Sequence, residues 1–392
     1  MSEFEVIVYG ASGFTGELVC AHLVENYGSQ LRWAMAGRDH RKLIETHSRI
    51  GAPSNVGLIT VDLESTADVA ALVKRTDGLI TTAGPFATIG EPLLAACVRQ
   101  GIAYVDLSGD AVWIRRMIDR YEEVAKSTGG RIIFSAGFDS VPSDLGVRFL
   151  QTIAKERFGS CARRVKGRVM HIAGSLSGGS IASARASASN AVEDDYSRTL
   201  LADPFALVPG FSGPMQPNET AAVFDDDVGW WVVPFIMSGI NVKTVHRSNA
   251  LLGHPYGTDF IYDEMLVYPK ASNEHAATRQ ASVDEWSNRD LIAVSPLKPG
   301  DGPDAALRNS GGYQLLFVGL LEDERRVDVT VEGVGDPGYR STSRIVVETM
   351  LSLLKDGVNL PGGMWTASAA LGATLQNRLE LNAGLSFREV DH

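Results

Sequence analysis

The stretch EVIVYGASGFTG at residues 5–16, running straight on into ELVCAHLV at 17–24, leaves a chain few ways to fold. An apolar run rich in β-branched residues gives way to glycines at three-residue spacing and then to apolar residues at helical spacing, so strand, tight loop and helix follow in that order. Gly10 permits the sharp exit from the strand, Gly13 lets the backbone approach a pyrophosphate, and Gly16 lets the helix pack close to the sheet. The helix N-terminus offers unpaired N–H groups and a partial positive charge, to which Ser12 and Thr15 add hydroxyl donors. With Ala11 and Phe14 between them, residues 10–16 form a candidate dinucleotide-phosphate site. The spacing is GxxGxxG and not GxGxxG, and the competing reading is an ordinary βα turn that uses glycine for geometry alone.

At 392 residues, 44% hydrophobic and 21% charged, the chain is long enough for two domains, each with its own core. A net charge of −11 argues against nucleic acid and against more than peripheral contact with an anionic membrane. Cys20, Cys97 and Cys161 are odd in number, far apart and without CxxC spacing, which suits a reducing compartment, gives no metal site and predicts buried or inert thiols. The first strand leaves no room for a signal peptide and no apolar run reaches the ~18 residues of a membrane span, so a soluble cytoplasmic protein is expected.

Residues 31–38 (LRWAMAGR) read as the second parallel strand, ending where the adenosine ribose would lie. An NAD enzyme usually places a carboxylate there, whereas this chain has Gly37 and Arg38, with Lys42 one turn into the next helix. A guanidinium suits a 2′-phosphate, which points to NADP, although Asp39 stands next door and Arg38 could be a solvated loop charge. Residues 56–62 are a third strand, whose Asp62 either meets the adenine edge or caps a helix. Residues 78–86 form a fourth, whose Ala83, Gly84 and Pro85 would pass under the nicotinamide-proximal ribose. A helix over 90–99 carries Pro92 in its first turn. Strands at 104–110 and 131–135 follow. The polar loop at 136–146 then leads into a helix with Ser143 or Asp144 as its expected cap.

Beyond residue 150 the composition changes. Residues 163–172 alternate like a half-exposed strand, and the glycine/serine run at 174–184 is either an anion-binding loop or a flexible connector. Residues 203–213 read as a Pro/Gly-rich surface segment. The aromatic stretch at 229–238, with Trp230 and Trp231, lines a greasy pocket or an interface, or else belongs to the core. Residues 315–321 and 325–332 predict an antiparallel hairpin, and amphipathic helices are expected over 341–354 and 366–381.

GASGFTG at 10–16, AGR at 36–38, AGPF at 83–86, GFDSVPSDLG at 137–146 and GDPGYRSTSR at 335–344 resemble the saccharopine dehydrogenase-like oxidoreductases, and within them the bacterial trans-acting enoyl reductases of polyketide-lipid synthesis. Asp110 and Ala367 depart from that pattern, where glutamate and proline are expected. The pattern predicts an α/β fold with a Rossmann-type doubly wound parallel sheet over 1–148 and an α+β substrate and dimerisation domain over 149–340. The resemblance further implies that C-terminal helices over 341–392 return to the nucleotide domain.

No Tyr-x-x-x-Lys pair and no zinc spacing occurs, so hydride transfer by positioning remains. Candidates for handling the proton lie at the carboxyl ends of strands: Asp139 first, then Tyr104, with Asp110 and Ser140 behind them, each with capping or turn stabilisation as its alternative role. The leading expectation is an NADPH-dependent reductase of an enoyl thioester in lipid metabolism. Its expected partners are an acyl-thioester or other small-molecule substrate, an acyl carrier and a second copy of the chain. Saccharopine-type C–N chemistry would need converging cations. Arg163, Arg164, Arg168 and Arg185 could supply them, but the first three alternate along a strand and would not all face one ligand. A third reading is a non-catalytic NADP-binding or lipid-associated protein that uses the aromatic stretch as its contact surface.

Overall fold

The computed structural model describes residues 2–174, 194–268, 302–356 and 359–391. The first half builds a parallel sheet from β1 (Phe4–Tyr9), β2 (Trp33–Gly37), β3 (Gly57–Thr60), β4 (Thr76–Thr81), β5 (Ala103–Val105) and β6 (Arg131–Ile133), in the spatial order β3-β2-β1-β4-β5-β6. Between them run α1 (Phe14–Asn26), α2 (His40–Arg49), α3 (Thr66–Val73), the single turn α4 (Phe86–Ile89), α5 (Glu91–Gln100) and α6 (Ala111–Thr128). Val6, Ile7 and Val8 are fully buried, as expected for a central parallel strand covered on both faces. Each such side chain contributes about 1.5–3 kcal/mol. Chain order reverses between β1 and β4, which is where such a sheet opens a crevice at its carboxyl ends.

Local chemistry sets the helix ends. One carboxylate oxygen of Asp39 accepts from the Arg41 and Lys42 amides to start α2, and Asp110 does the same for α6 through the Val112 and Trp113 amides. Gly129, at φ +84, stops α6. Ser65 caps α3, and Asp62 makes only a local turn, accepting from the Glu64 amide.

Past β6 the chain enters α7 (Val141–Phe158) and a second sheet. The sheet contains β7 (Arg164–Ala173), β8 (Val223–Asp225), β9 (Trp230–Pro234), β10 (Ile261–Val267), β11 (Gly312–Leu320) and β12 (Arg326–Val334). The helices α8 (Asp195–Ala202), α9 (Ser238–Leu251) and α10 (Ala305–Ser310) accompany these strands. β7 is interior, parallel to β10 and antiparallel to β11, and one of its faces is half-exposed as its alternation suggested, with Val165, Gly167 and Val169 buried and Arg164, Lys166 and Met170 only partly so. Its polar residues are tolerated because Arg168 is buried between Asp225 and Asp263. β11 and β12 form the antiparallel hairpin. The aromatic stretch divides, with Val232, Val233 and Phe235 buried and Trp230 exposed on β9 beside the edge strand β8. The segment at 203–213 is not wholly surface, since Phe205, Ala206 and Leu207 are buried.

The last part of the chain serves both sheets. After a π-helical turn (Pro337–Ser341), α11 (Thr342–Lys355) packs on α1, β4 and β5. Its approach is close: a Cβ on Gly78 of β4 would lie 2.5 Å from the Met350 sulfur. β13 (Gly363–Trp365) then adds a seventh parallel strand beside β6. α12 (Ala367–Asn382) lies on α7 and α11, and β14 (Leu385–Glu389) completes the second sheet next to β12. The C-terminal segment therefore does not belong to the nucleotide-binding sheet alone. Among the described residues, no helix is long and apolar enough to cross a membrane.

Candidate active site

The glycine loop is built by close approach. Gly10 holds φ +86, and a Cβ there would stand 2.8 Å from Thr82 Oγ1. A Cβ on Gly16 would stand 2.0 Å from the Gly10 carbonyl oxygen, so the first turn of α1 rests directly on the loop. The N-cap of α1 is Gly13, and no side chain caps the helix. Its first-turn amides keep their hydrogen-bonding capacity, which fits a diphosphate. Arg38 and Lys42 are exposed at the end of β2 and the start of α2, and Arg38 makes no hydrogen bond or ion pair among the described residues. Asp39 has turned to cap α2, which leaves the guanidinium as the group available to a ribose 2′-phosphate. Asp62 is exposed past the end of β3. Ala83, Gly84 and Pro85 lie between β4 and α4, with a cis peptide before Pro85.

The second sheet's domain reaches this loop through residues for which no role had been anticipated. The Tyr339 ring meets Phe14 edge-on at 5.0 Å between centroids, and the Arg308 guanidinium lies 5.4 Å from the Phe14 centroid. Asp336 accepts from the Tyr339 and Arg340 amides at 3.0 Å each, holding the π-helical turn in place. Tyr339 fell within GDPGYRSTSR, but nothing in that motif announced a contact with the glycine loop.

Across the crevice, the carboxyl ends of β5 and β6 are tied together by Asp106, which is fully buried and accepts from Tyr104 Oη at 2.9 Å, the Ser108 amide at 3.0 Å and the Ser135 amide at 3.2 Å. Burial pushes the Asp106 carboxyl up to about 7 and the Tyr104 hydroxyl well above its ordinary range. Tyr104 is thus walled into the sheet with its proton committed to Asp106, and the structure does not bring it to the crevice beside Asp139. Asp110 is engaged as the α6 cap. Ser143 and Asp144 are not caps either: α7 begins after Ser140, whose side chain does not cap it. Asp144 binds the Ser248 hydroxyl and the Ser368 amide, joining α7, α9 and α12.

Asp139 stands apart. It lies on the loop between β6 and α7, half-buried, with no hydrogen bond or ion pair among the described residues. A Cβ placed on Gly109 would lie 3.9 Å from Asp139 Oδ2 and 3.9 Å from the Met237 methyl, so the carboxyl lies against the loop after β5, to which the second domain's Met237 also reaches. Burial raises it to about 6, which suits a group that must hold a proton near neutral pH. The β4–β6 half of such a sheet is the half that receives the nicotinamide end of a dinucleotide.

The cations considered for C–N chemistry lie elsewhere. Arg163 pairs with Asp259 and Glu322. Arg164 and Arg168 do share a face, together with Lys166, in an open cavity of about 480 Å³. There Asp225, Asp227 and Asp263 already neutralise them. Asp263 alternates with Tyr262 and Glu264, whose side chains meet α7 and α9, so this cavity opens on the opposite face of the sheet. Arg185 and all but Gly174 of the glycine/serine run fall outside the described residues.

Residues 6–133 match the family model of the saccharopine dehydrogenase NADP-binding domain. The chain is 31% identical to a trans-acting enoyl reductase of Mycobacterium ulcerans, over 96% of each chain, and 31% identical to one of Mycobacterium tuberculosis, again over 96% of each. It belongs to the saccharopine dehydrogenase-like oxidoreductases. In fold it is similar to the apo saccharopine dehydrogenase (L-Glu forming) of Saccharomyces cerevisiae, with a TM-score of 0.56, 13% identity, and 99% of this chain and 100% of that one covered. The cofactor of this family member is NADP, and the uncapped α1 terminus and the free Arg38 are the features here that fit it. The activity class is NADP-dependent oxidoreduction.

Proposed function

We propose that this protein reduces a carbon–carbon double bond conjugated to an acyl thioester, with NADPH as reductant and Asp139 as proton donor. The observation that carries the reading is the unpartnered Asp139 carboxyl, which burial raises and which lies against the loop after β5 at the nicotinamide half of the sheet. The names of the mycobacterial relatives agree with it. In this reading residues 1–148 hold the cofactor, 149–340 form the acyl pocket and 341–392 join the two. Arg38 and Lys42 select the 2′-phosphate, the α1 amides hold the diphosphate, and Ala83, Gly84 and Pro85 let the proximal ribose lie close. NADPH, when bound, supplies the hydride to the β-carbon. Asp139 supplies the proton to the α-carbon, and the walls of the crevice exclude water. The word trans-acting in the relatives' names supports a substrate delivered on a separate acyl carrier.

The test is loss of nicotinamide absorbance when the protein is mixed with NADPH and trans-enoyl thioesters of coenzyme A of graded length. Turnover is expected to decline as pH rises through about 6, because the proton-donating form of Asp139 is lost there. Asp139→Asn should lower kcat by about 10²-fold or more while leaving NADPH affinity unchanged. No NADPH consumption at any chain length would overturn the reading.

A further inference from the structure

The loop that carries Asp139 is held in an unfavourable backbone conformation by a buried chain of side chains from the other domain. Ser140 has φ +100, a region that residues bearing a Cβ rarely adopt. Its hydroxyl donates to Asn241 Oδ1 at 3.0 Å, and the Thr244 hydroxyl lies 3.3 Å away; both partners are on α9. Asn241 cannot swap its amide ends freely. Its Nδ2 donates to Glu264 Oε1 at 3.1 Å, and that same oxygen accepts the Ser143 hydroxyl at 3.0 Å. Glu264 Oε2 accepts Tyr262 Oη at 2.9 Å. Glu264 Oε1, which already accepts from Ser143, acts as an acceptor toward Asn241 as well, so the amide nitrogen faces Glu264 and the carbonyl faces Ser140. Asn241 and Glu264 are each 1% exposed, so solvent does not compete for these bonds.

We propose that Asn241, oriented by Glu264, is a positioning residue for Asp139: it locks Ser140 in its left-handed conformation and thereby turns the neighbouring carboxyl into the crevice. This rests on the reading of Asp139 as proton donor. Both residues are buried, and a hydrogen-bond network that served only to join the domains would not need a strained residue at its end.

The experiment separates positioning from stability by removing the strain. In the presence of NADPH and a medium-chain trans-enoyl thioester of coenzyme A, Asn241→Ala is expected to lower kcat about tenfold with NADPH affinity unchanged. In a Ser140→Gly background, where the same backbone conformation costs nothing, the identical substitution should lower kcat by less than about threefold. Glu264→Gln keeps an oxygen for Asn241 and should retain most activity, whereas Glu264→Leu should behave like Asn241→Ala. Hydrogen exchange of the amides at 138–141 should accelerate in Asn241→Ala and not in Glu264→Gln, and this readout needs no substrate. An equal loss from Asn241→Ala in both backgrounds, or unchanged exchange, would overturn the proposal. Wild-type kcat in Asp139→Asn would instead sink the proton-donor reading, with the exchange data still deciding whether Asn241 holds the loop.

Discussion

The two walls of the crevice are made in opposite ways. The glycine loop at 10–16 is assembled from seven consecutive residues, and its shape comes from the absence of side chains: Gly10 and Gly16 are close enough to their neighbours that a single methyl group would collide. The loop at 136–140 is shaped by what other elements bring to it. Thr342 of α11 accepts the Phe138 amide at 2.9 Å, and Asn241 of α9 takes the Ser140 hydroxyl at 3.0 Å, across 204 and 101 positions of sequence. A local device fails when something is added to it, a distributed one when a remote partner is taken away.

The largest effect should therefore follow from one methyl group. Gly16→Ala would place a Cβ 2.0 Å from a backbone oxygen that cannot move aside, and NADPH binding is expected to be abolished. Nicotinamide fluorescence would measure this, with circular dichroism to show that the protein remains folded. Gly13→Ala meets the same carbonyl at 3.2 Å and should be far milder, so equal losses from the two substitutions would mean that contact distance does not govern this wall. Next in size is Arg38→Ala, expected to weaken NADPH by about 10-fold or more while sparing NADH, since a charge-assisted phosphate contact is lost and nothing else is touched. Calorimetry with both cofactors checks it, and parallel weakening would deny Arg38 its selective role.

The opposite wall should respond to Thr342→Val. Without Oγ1, the buried Phe138 amide loses its acceptor, at a cost of about 1–3 kcal/mol. Folding stability and turnover should fall together while NADPH affinity holds. Loss of cofactor binding as well would show that the two walls are mechanically one piece.

The same contrast explains what could be read along the chain. The succession of strands in the nucleotide domain and the glycine turn that joins β1 to α1 were legible because each is a pattern within a few neighbouring residues. Tyr104 was misjudged because its position at a strand's end resembled a site, whereas the pleat of β5 points its ring into the core and Asp106 occupies its hydroxyl. Asn241 and Glu264 carried no local signal at all: one sits in a helix, the other in a strand, and only the packing of α9 on α7 and β10 brings them to Ser140 and Ser143. Arg308 was invisible for the same reason, since its contact with Phe14 depends on where the second domain comes to rest.

The remaining expected effect is on the pH dependence of stability, and it falls mainly on one wall. Burial raises Asp139 and Asp144 to about 6 and Asp106 and Glu264 to about 7. All four lie on or behind the Asp139 side of the crevice. In the unfolded chain these groups ionise near pH 4, so the folded state binds protons more tightly. The stability this gives is complete below pH 4 and is lost as pH rises through 6 to 7. Urea midpoints should therefore decline between about pH 4.5 and about pH 7.5, and Glu264→Gln should flatten part of that decline. Hydrogen exchange should quicken with pH, beyond its intrinsic dependence, in the segment 136–146. Residues 10–16 hold no carboxyl of their own, and burial raises only Asp336 behind the turn that packs on Phe14; they should show a smaller excess, and a matching one would mean that the strain of ionising one wall is passed to the other.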